Sequence, residues 1–439
     1  MSDDWKIYRL GQITDWFSGG TPRKNIDRYW NGDIPWISAS SMSNNRISTS
    51  DMKITNEGLK SGSKLANKDD ILLLVRGSIL HQKIPVGIVM NEVSYNQDVK
   101  RIKVKDNLNP WFLLYWFIGN EKTLLRKVDV TGIGAGKFDT DFLQNYPISL
   151  PSLKEQKIIV DIVKSLDDKI YLNNQINQTL ESIAQAMFKS WFIDFEPVRA
   201  KIAAKQEGKN SELAAMCAIS GTSEAEIEQM AEENLAELRA TAALFPDELV
   251  ESELGEVPKG WSVSKVDDIL KRIKIKKRFK KNDVNEFGQT FVLEQGSNII
   301  LGFHDNEGSI SASKEEPAFI FGDHTCITRL MLSNFDVSEN VIAVKGKERN
   351  SYWTYYAIKD LQKFQEYRRH WMELTSKQVV VADVRLTDYF AKKVKILHED
   401  IEYSLRENLV LMNLRNTLLP KLLSCELDVS ALQDEEIQG

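Results

Sequence analysis

Three stretches of the sequence hold residues able to do chemistry. The first, Lys271 to Lys281, reads KRIKIKKRFKK, eight cations in eleven positions with Ile273, Ile275 and Phe279 between them. Alternating apolar residues suit a strand with one buried face, whose outer face would be positive enough to neutralise several backbone phosphates. The second, Gly132-Ile133-Gly134-Ala135-Gly136-Lys137-Phe138, is like a phosphate loop, but Thr131 stands where the first glycine belongs and Phe138 where a hydroxyl must reach magnesium. The third, Asp323-His324-Thr325, sets an acid beside a base. No serine or cysteine sits in a nucleophile elbow, and adjacent strand residues face opposite ways, so His324 is assigned a structural or nucleic-acid contact role.

Other catalytic constellations are missing. His81, His304, His324, His370 and His398 never recur at metal-ligand spacing, and Cys217, Cys326 and Cys425 are too far apart for a zinc clip or redox pair. Nor does the chain contain the Asp/Asn-Pro-Pro-aromatic tetrapeptide with which an adenine methyltransferase holds a flipped base. No catalytic residue and no metal site is expected. The longest wholly apolar run is Trp111 to Ile118, far short of a membrane span, and Met1-Ser2-Asp3-Asp4 lacks a basic leader. The protein is therefore expected in the cytoplasm, without a membrane partner.

The elements that must position these residues show a pattern repeated along 439 residues, a length that suits two or three units. Residues 1–150 carry short strand-like runs and turns, then an apolar helix opened by Asn109-Pro110. Within 151–197, Ser152 and Glu155 form a capping box, and Ile159, Ile162, Leu166, Ile170, Asn173, Asn177, Leu180, Ile183 and Met187 recur at threes and fours. That spacing predicts one helix of about 36 residues, roughly 54 Å long, with a narrow seam that needs a partner helix. Residues 259–396 are a second strand-rich region, opened by Trp261 as the first is by Trp5. The seam returns over 397–424, from Ile401 to Leu422, until Pro420 and the polar tail 425–439 stop it. A shift of 231 residues superposes the two seams, placing Asn177 on Asn408 and Leu180 on Leu411. The fold expected is thus α+β, two strand-rich domains joined by two long helices in an antiparallel coiled coil, with a pseudo-two-fold repeat. Between them, 198–258 is an acidic helical linker or insertion. From Gln206 to Glu256, thirteen acidic residues face only Lys209 and Arg239, a net −11 that leaves +5 on the rest of a chain whose total is −6.

Several motifs together resemble a known family. Ser18-Gly19-Gly20-Thr21-Pro22-Arg23, Tyr29-Trp30-Asn31-Gly32-Asp33-Ile34-Pro35-Trp36, Asn96-Gln97-Asp98-Val99, the run from Leu150-Pro151 to Phe195, Ile320 to Thr325, and Leu419-Pro420-Lys421-Leu422 resemble the specificity subunits of type I restriction–modification enzymes. The resemblance implies two target recognition domains joined by spacer helices and reading a bipartite, asymmetric site in double-stranded DNA. It also implies two methyltransferase subunits docked on the chain and two restriction subunits joining them. The chain itself would bind no cofactor; S-adenosylmethionine, ATP and magnesium belong on the partners, where adenine N6 is methylated. The alternative is a non-catalytic coiled-coil scaffold whose domains bind protein.

Under the DNA reading, Gly19 and Gly20 let a turn approach closely, with Arg23 and Lys24 as phosphate ligands and Arg46, Arg76, Gln97 and Lys137 as polar contacts near loops. Lys274, Lys276, Lys277, Arg278, Lys280 and Lys281 face the backbone, while His324, Arg329, Lys377 and Gln378 reach bases; Gln378 falls near the place that Lys137 holds in the first half. Arg and Gln pair bidentately with guanine and adenine edges. Phe188, Trp191, Phe192 and Phe195 form a docking patch for a methyltransferase subunit. If helix length sets the unspecified gap between the half-sites, residues inserted into either long helix should lengthen the gap and leave both half-sites unchanged; methylation mapping of the insertion mutant reads this directly.

Overall fold

The computed structural model describes residues 5–130, 135–296, 299–366 and 368–429; Thr131 to Gly134, half of the phosphate-loop lookalike, lie outside them. Two compact units result, one from residues 1–170 and 410–439, the other from 171–409.

In the first unit, Lys6–Arg9 pairs antiparallel with Pro147–Leu150, so the strand that opens the domain also closes it. Between them lies a five-stranded sheet in the order Thr14–Ser18, Val99–Val104, Ile71–Leu74, Val86–Val89, Arg46–Ile47. Ile71 to Leu74 are fully buried, the continuous apolar run of a strand covered on both faces. The helix Pro110–Gly119 packs on this core, with the Asn109 side chain accepting from Trp111 N at 2.9 Å. It is apolar all round because Phe112 to Phe117 are all buried.

The second unit repeats the plan. Ser262–Lys265 pairs antiparallel with Gln378–Val381, and the sheet order is Leu270–Arg272, Val341–Gly346, Ala318–Gly322, Thr328–Met331. Ser351–Ile358, capped by Asn350, takes the place of Pro110–Gly119. The run Lys271 to Lys281 is not one strand. Ile273 N still reaches Ala343 O, at 2.8 Å, but the chain then leaves the first sheet, and Arg278–Phe279 pairs in parallel with Phe335–Ser338 in another. Ile273 and Ile275 pack on the core beneath that second sheet, so the apolar alternation marks a crossover between sheets.

Both long helices run 40 residues, Leu153–Phe192 and Val384–Leu423. Ser152 and Glu155 exchange the expected capping-box bonds. The second helix starts at Val384, well before 397, because Leu386, Phe390 and Val394 bury their side chains in the domain core instead of on the seam. It also runs through Pro420. Only one main-chain bond is lost there, in the last turn, and Leu419 and Leu422 are held in the first unit's core. Within each unit the helices pair antiparallel. In the first, Asp167 meets Arg415 at 2.7 Å; in the second, Asn173 donates to Asn408 at 2.9 Å, and Glu181 lies 4.0 Å from His398. Ile183, read as a seam residue, is 46% exposed, and the neighbouring Ala184 is buried instead.

Residues 198–258 are helical over most of their length. Helices Glu196–Gln206, Ser211–Ser220, Glu224–Glu228 and Glu232–Ala243 enclose a small core of Ala215, Met216, Ile227 and Ala242. The buried Lys201 ammonium donates to Phe245 O at 2.6 Å. A hairpin, Leu249–Ser252 with Gly255–Pro258, follows where no strand was expected; its burial does not alternate, Val250 being exposed and Val257 and Pro258 buried side by side.

A buried polar network ties both helices to the second domain. Glu181 pairs with Lys359 and accepts from Tyr355 Oη at 3.3 Å, and Tyr356 Oη lies 2.8 Å from His398 Nε2. Burial pushes the His398 imidazole down to about 4, with Arg329 and Lys359 adding to the effect and Glu181 opposing it. The folded chain therefore keeps His398 neutral where the unfolded chain protonates it, so stability falls as the pH drops from 6.5 towards 4, by about 3 kcal/mol from this residue. Urea midpoints read by tryptophan fluorescence across that window should show the loss, and His398→Gln should flatten it.

Candidate nucleic-acid interface

In the first unit, the loops at one end of the sheet are stitched together by main-chain bonds. Gly20 N donates to Tyr95 O at 3.0 Å, Val75 N to Asp98 O at 2.8 Å, and Phe138 N to Val75 O at 2.9 Å. Thr21 Oγ1 donates to Gln97 Oε1 at 2.6 Å. The two glycines are there for close approach: a Cβ on Gly19 would lie 2.3 Å from Tyr95 O, and one on Gly20 only 1.8 Å from Gly62 O. Trp36 Nε1 donates to Gly20 O and Trp30 Nε1 to Arg23 O, both at 3.2 Å, while the two indoles meet edge to face at 5.3 Å. The tryptophan-bearing motif thus buttresses the turn.

This stitching brings Gly19, Gly20, Gln97, Arg76 and Lys137 into one cluster, with Arg23 and Lys24 exposed on the turn itself. Arg76 and Lys137 are direct cross-strand partners, both exposed. Two cations side by side repel each other, and an anion lying across both relieves that cost. Arg46 does not join them. It is ion-paired with Asp168 on the long helix and lies 5.3 Å from the Trp111 ring centroid, with Lys164 also over that ring. Asp168 is held below the usual carboxylate range: burial would raise it, but Lys164 and Arg46 outweigh that. Arg46 is a strut between domain and helix.

In the second unit, Lys274, Lys276, Lys277, Lys280 and Lys281 are exposed along the crossover. Lys277 lies 4.3 Å from the Phe279 ring centroid, and that ring stacks on His304. The Arg278 guanidinium is committed to main chain, donating to Ser338 O at 2.7 Å and Val341 O at 2.9 Å. Arg329 lines a closed cleft with Glu181, Tyr355 and His398. Lys377 Nζ donates to Leu361 O, and Gln378 Nε2 to Glu253 at 2.7 Å. Gln378 pairs with Lys265 as Pro147 does with Arg9, so its counterpart in the first half is Pro147, not Lys137. Of the residues expected to read bases here, His324 alone sits at the corresponding loop end, its N–H donating to Gln295 Oε1 at 2.9 Å. Arg272, from the cationic run, and Arg369, not anticipated from sequence, line a concavity beside it; no local motif announces Arg369.

Phe188, Trp191, Phe192 and Phe195 are not a surface patch. Each is at most 6% exposed, packed among Phe245, Trp261, Trp353 and Phe390. Their spacing was right for one shared face, but that face lies against their own domain.

A strand-rich domain closed by its own first strand and continued by a long helix, occurring twice in one chain, defines a duplicated α+β protein. Residues 2–182 match the type I restriction modification DNA specificity domain. The HindI specificity subunit of Haemophilus influenzae is 34% identical over 61% of this chain and 60% of its own length. The MjaIX specificity subunit of Methanocaldococcus jannaschii is 27% identical over 98% and 95%, and the EcoR124I/EcoR124II subunit of Escherichia coli is 33% identical over 40% and 43%. This chain thus spans 60% of the Haemophilus relative and nearly all of the Methanocaldococcus one. A solved type I system S subunit from M. genitalium aligns over 96% of this chain and 97% of its own at 14% identity, with a TM-score of 0.46. By these comparisons the chain is similar to type I restriction–modification specificity subunits, its first 182 residues matching the family's DNA specificity domain. Among the described residues no helix is long and apolar enough to cross a membrane.

Removing one phosphate contact lowers the salt slope of DNA binding by about one. Arg76→Ala should do so in anisotropy titrations across salt concentrations, whereas Arg46→Ala should leave the slope intact and lower the melting temperature.

Proposed function

We propose that the chain is the non-catalytic DNA-recognition subunit of a type I restriction–modification complex, reading a bipartite, asymmetric site through its two unlike domains. The observation that carries this reading is the loop cluster at one end of the first domain's sheet, where Gly19, Gly20, Gln97, Arg76 and Lys137 converge from four separate segments. A rigid sheet that presents polar and cationic loops suits both phosphate positioning and base readout. The second domain repeats the topology with different side chains, which suits a second, different half-site.

Two methyltransferase subunits would carry S-adenosylmethionine and methylate adenine N6, and two restriction subunits would bring ATP and magnesium. The complex works on DNA in the cytoplasm. The methyltransferase needs a surface other than the buried aromatic cluster. Leu172, Ile176 and Ile183, which expose 50%, 40% and 46% of themselves, follow one side of the first long helix and suit that role.

Long-read detection of modified adenines in host DNA, with the gene intact and deleted, tests the reading. One split motif with unlike halves should lose its methylation on deletion. A methylome unchanged by deletion, in a host with an active partner methyltransferase, would refute it and favour the protein-scaffold alternative.

A further inference from the structure

We propose that a concavity of about 390 Å³ in the second unit, lined by Arg272, Arg278, Asp323, Glu339, Asn340 and Arg369, is that domain's base-reading notch, and that Arg369 reads a guanine. This rests on the DNA-recognition reading above.

The repeat locates the notch. In the first unit Val75 N donates to Asp98 O and Phe138 N to Val75 O; in the second Asp323 N donates to Asn340 O, at 2.9 Å, and His370 N to Asp323 O, at 2.8 Å. The strand registers agree, since Leu74 pairs with Val99 as Gly322 does with Val341. Asp323 is therefore the counterpart of Val75, Asn340 of Asp98, Glu339 of Gln97, His324 of Arg76 and Arg369 of Lys137. The notch occupies the same place in the fold as the first unit's polar loop cluster, a relation invisible to a sequence shift because the intervening loops differ in length.

Side-chain commitments single out Arg369. Arg278 is spent on two carbonyls, and Arg272 lies over the Trp371 ring at 5.8 Å. Asp323 accepts from His370 N at 3.1 Å and Trp371 N at 2.9 Å, so it fixes the segment bearing Arg369 and acts as a positioning residue. Arg369 itself is 79% exposed, with its Nε 3.9 Å from Asp323, a separation that holds an exposed side chain only weakly.

The charge pattern favours a base edge over a phosphate. Asp323 and Glu339 repel a phosphate, whereas a G·C pair offers guanine O6 and N7 to a guanidinium and the cytosine amino group to a carboxylate. Arg369 and the exposed Glu339 supply those two partners.

The test uses the complex of this chain with its methyltransferase partner, selecting bound duplexes from a randomised pool at several salt concentrations. Wild type should enrich a split motif. Arg369→Ala should lose preference for one guanine in the second half-site by about 10- to 100-fold, with the first half-site intact as an internal control of folding. Arg369→Lys keeps the charge but not the bidentate fork, so it should lose the same preference while retaining the salt slope. Full guanine preference in either variant, a uniform loss of affinity with all preferences kept, or damage at both half-sites overturns the proposal. A wild-type complex that enriches no motif overturns the DNA-recognition reading itself.

Discussion

A helix of 40 residues with its apolar side chains on one narrow stripe cannot bury them alone. That constraint organises the chain. Each unit contributes part of one long helix and part of the other, and each pairs them antiparallel. The pairing is not left to hydrophobic contact alone: Asn173 is buried in the second unit's seam and donates to Asn408, which donates in turn to Asn174. A polar layer inside an apolar seam costs stability but penalises every other register, since a slip leaves buried amides without partners.

The domains hang on this frame through their first and last strands. Because the opening strand pairs with the strand that precedes the long helix, a two-stranded ladder ties the start of each domain to the start of its helix. Side-chain struts stiffen the joint: Arg46 to Asp168 in the first unit, and Lys359 to Glu181, with His398 and Tyr356 beside them, in the second. These pairs are partly buried, Asp168 remaining 45% exposed, so losing one partner costs most at the Glu181–Lys359 pair, where less solvent screens the charge that is left. Arg46, which looks like a ligand in the sequence, is such a strut. A cation's spacing gives no information on whether a carboxylate from a distant helix will claim it.

The loops at the sheet ends are where the two domains diverge. The first builds its cluster on glycines pressed against main chain, with Gln97, Arg76 and Lys137 outermost. The second replaces that glycine turn with the cationic crossover Lys274 to Lys281, and its loop ends carry Glu339, His324 and Arg369. A similar but not identical frame, five strands in the first main sheet and four in the second, carrying different loop side chains, suits the proposed reading of two unlike half-sites.

Periodicity and local capping determined the first long helix, the seam of the second but not its start at Val384, their shared repeat, the capped apolar helix at Asn109 and the alternation of domain and helix, because these depend on spacings of three or four residues. The glycine turn was legible too, since only close backbone approach explains two adjacent glycines before Thr21-Pro22. What the tertiary structure decided was which face met what. Phe188, Trp191, Phe192 and Phe195 share a stripe, but only the folded domain shows that Trp261, Trp353 and Phe390 cover it. The run 271–281 alternates like a strand, yet it crosses between two sheets. The correspondence of Arg369 with Lys137 exists only as hydrogen-bond register, for loops of unequal length erase it from the sequence while the strand ladder preserves it in space.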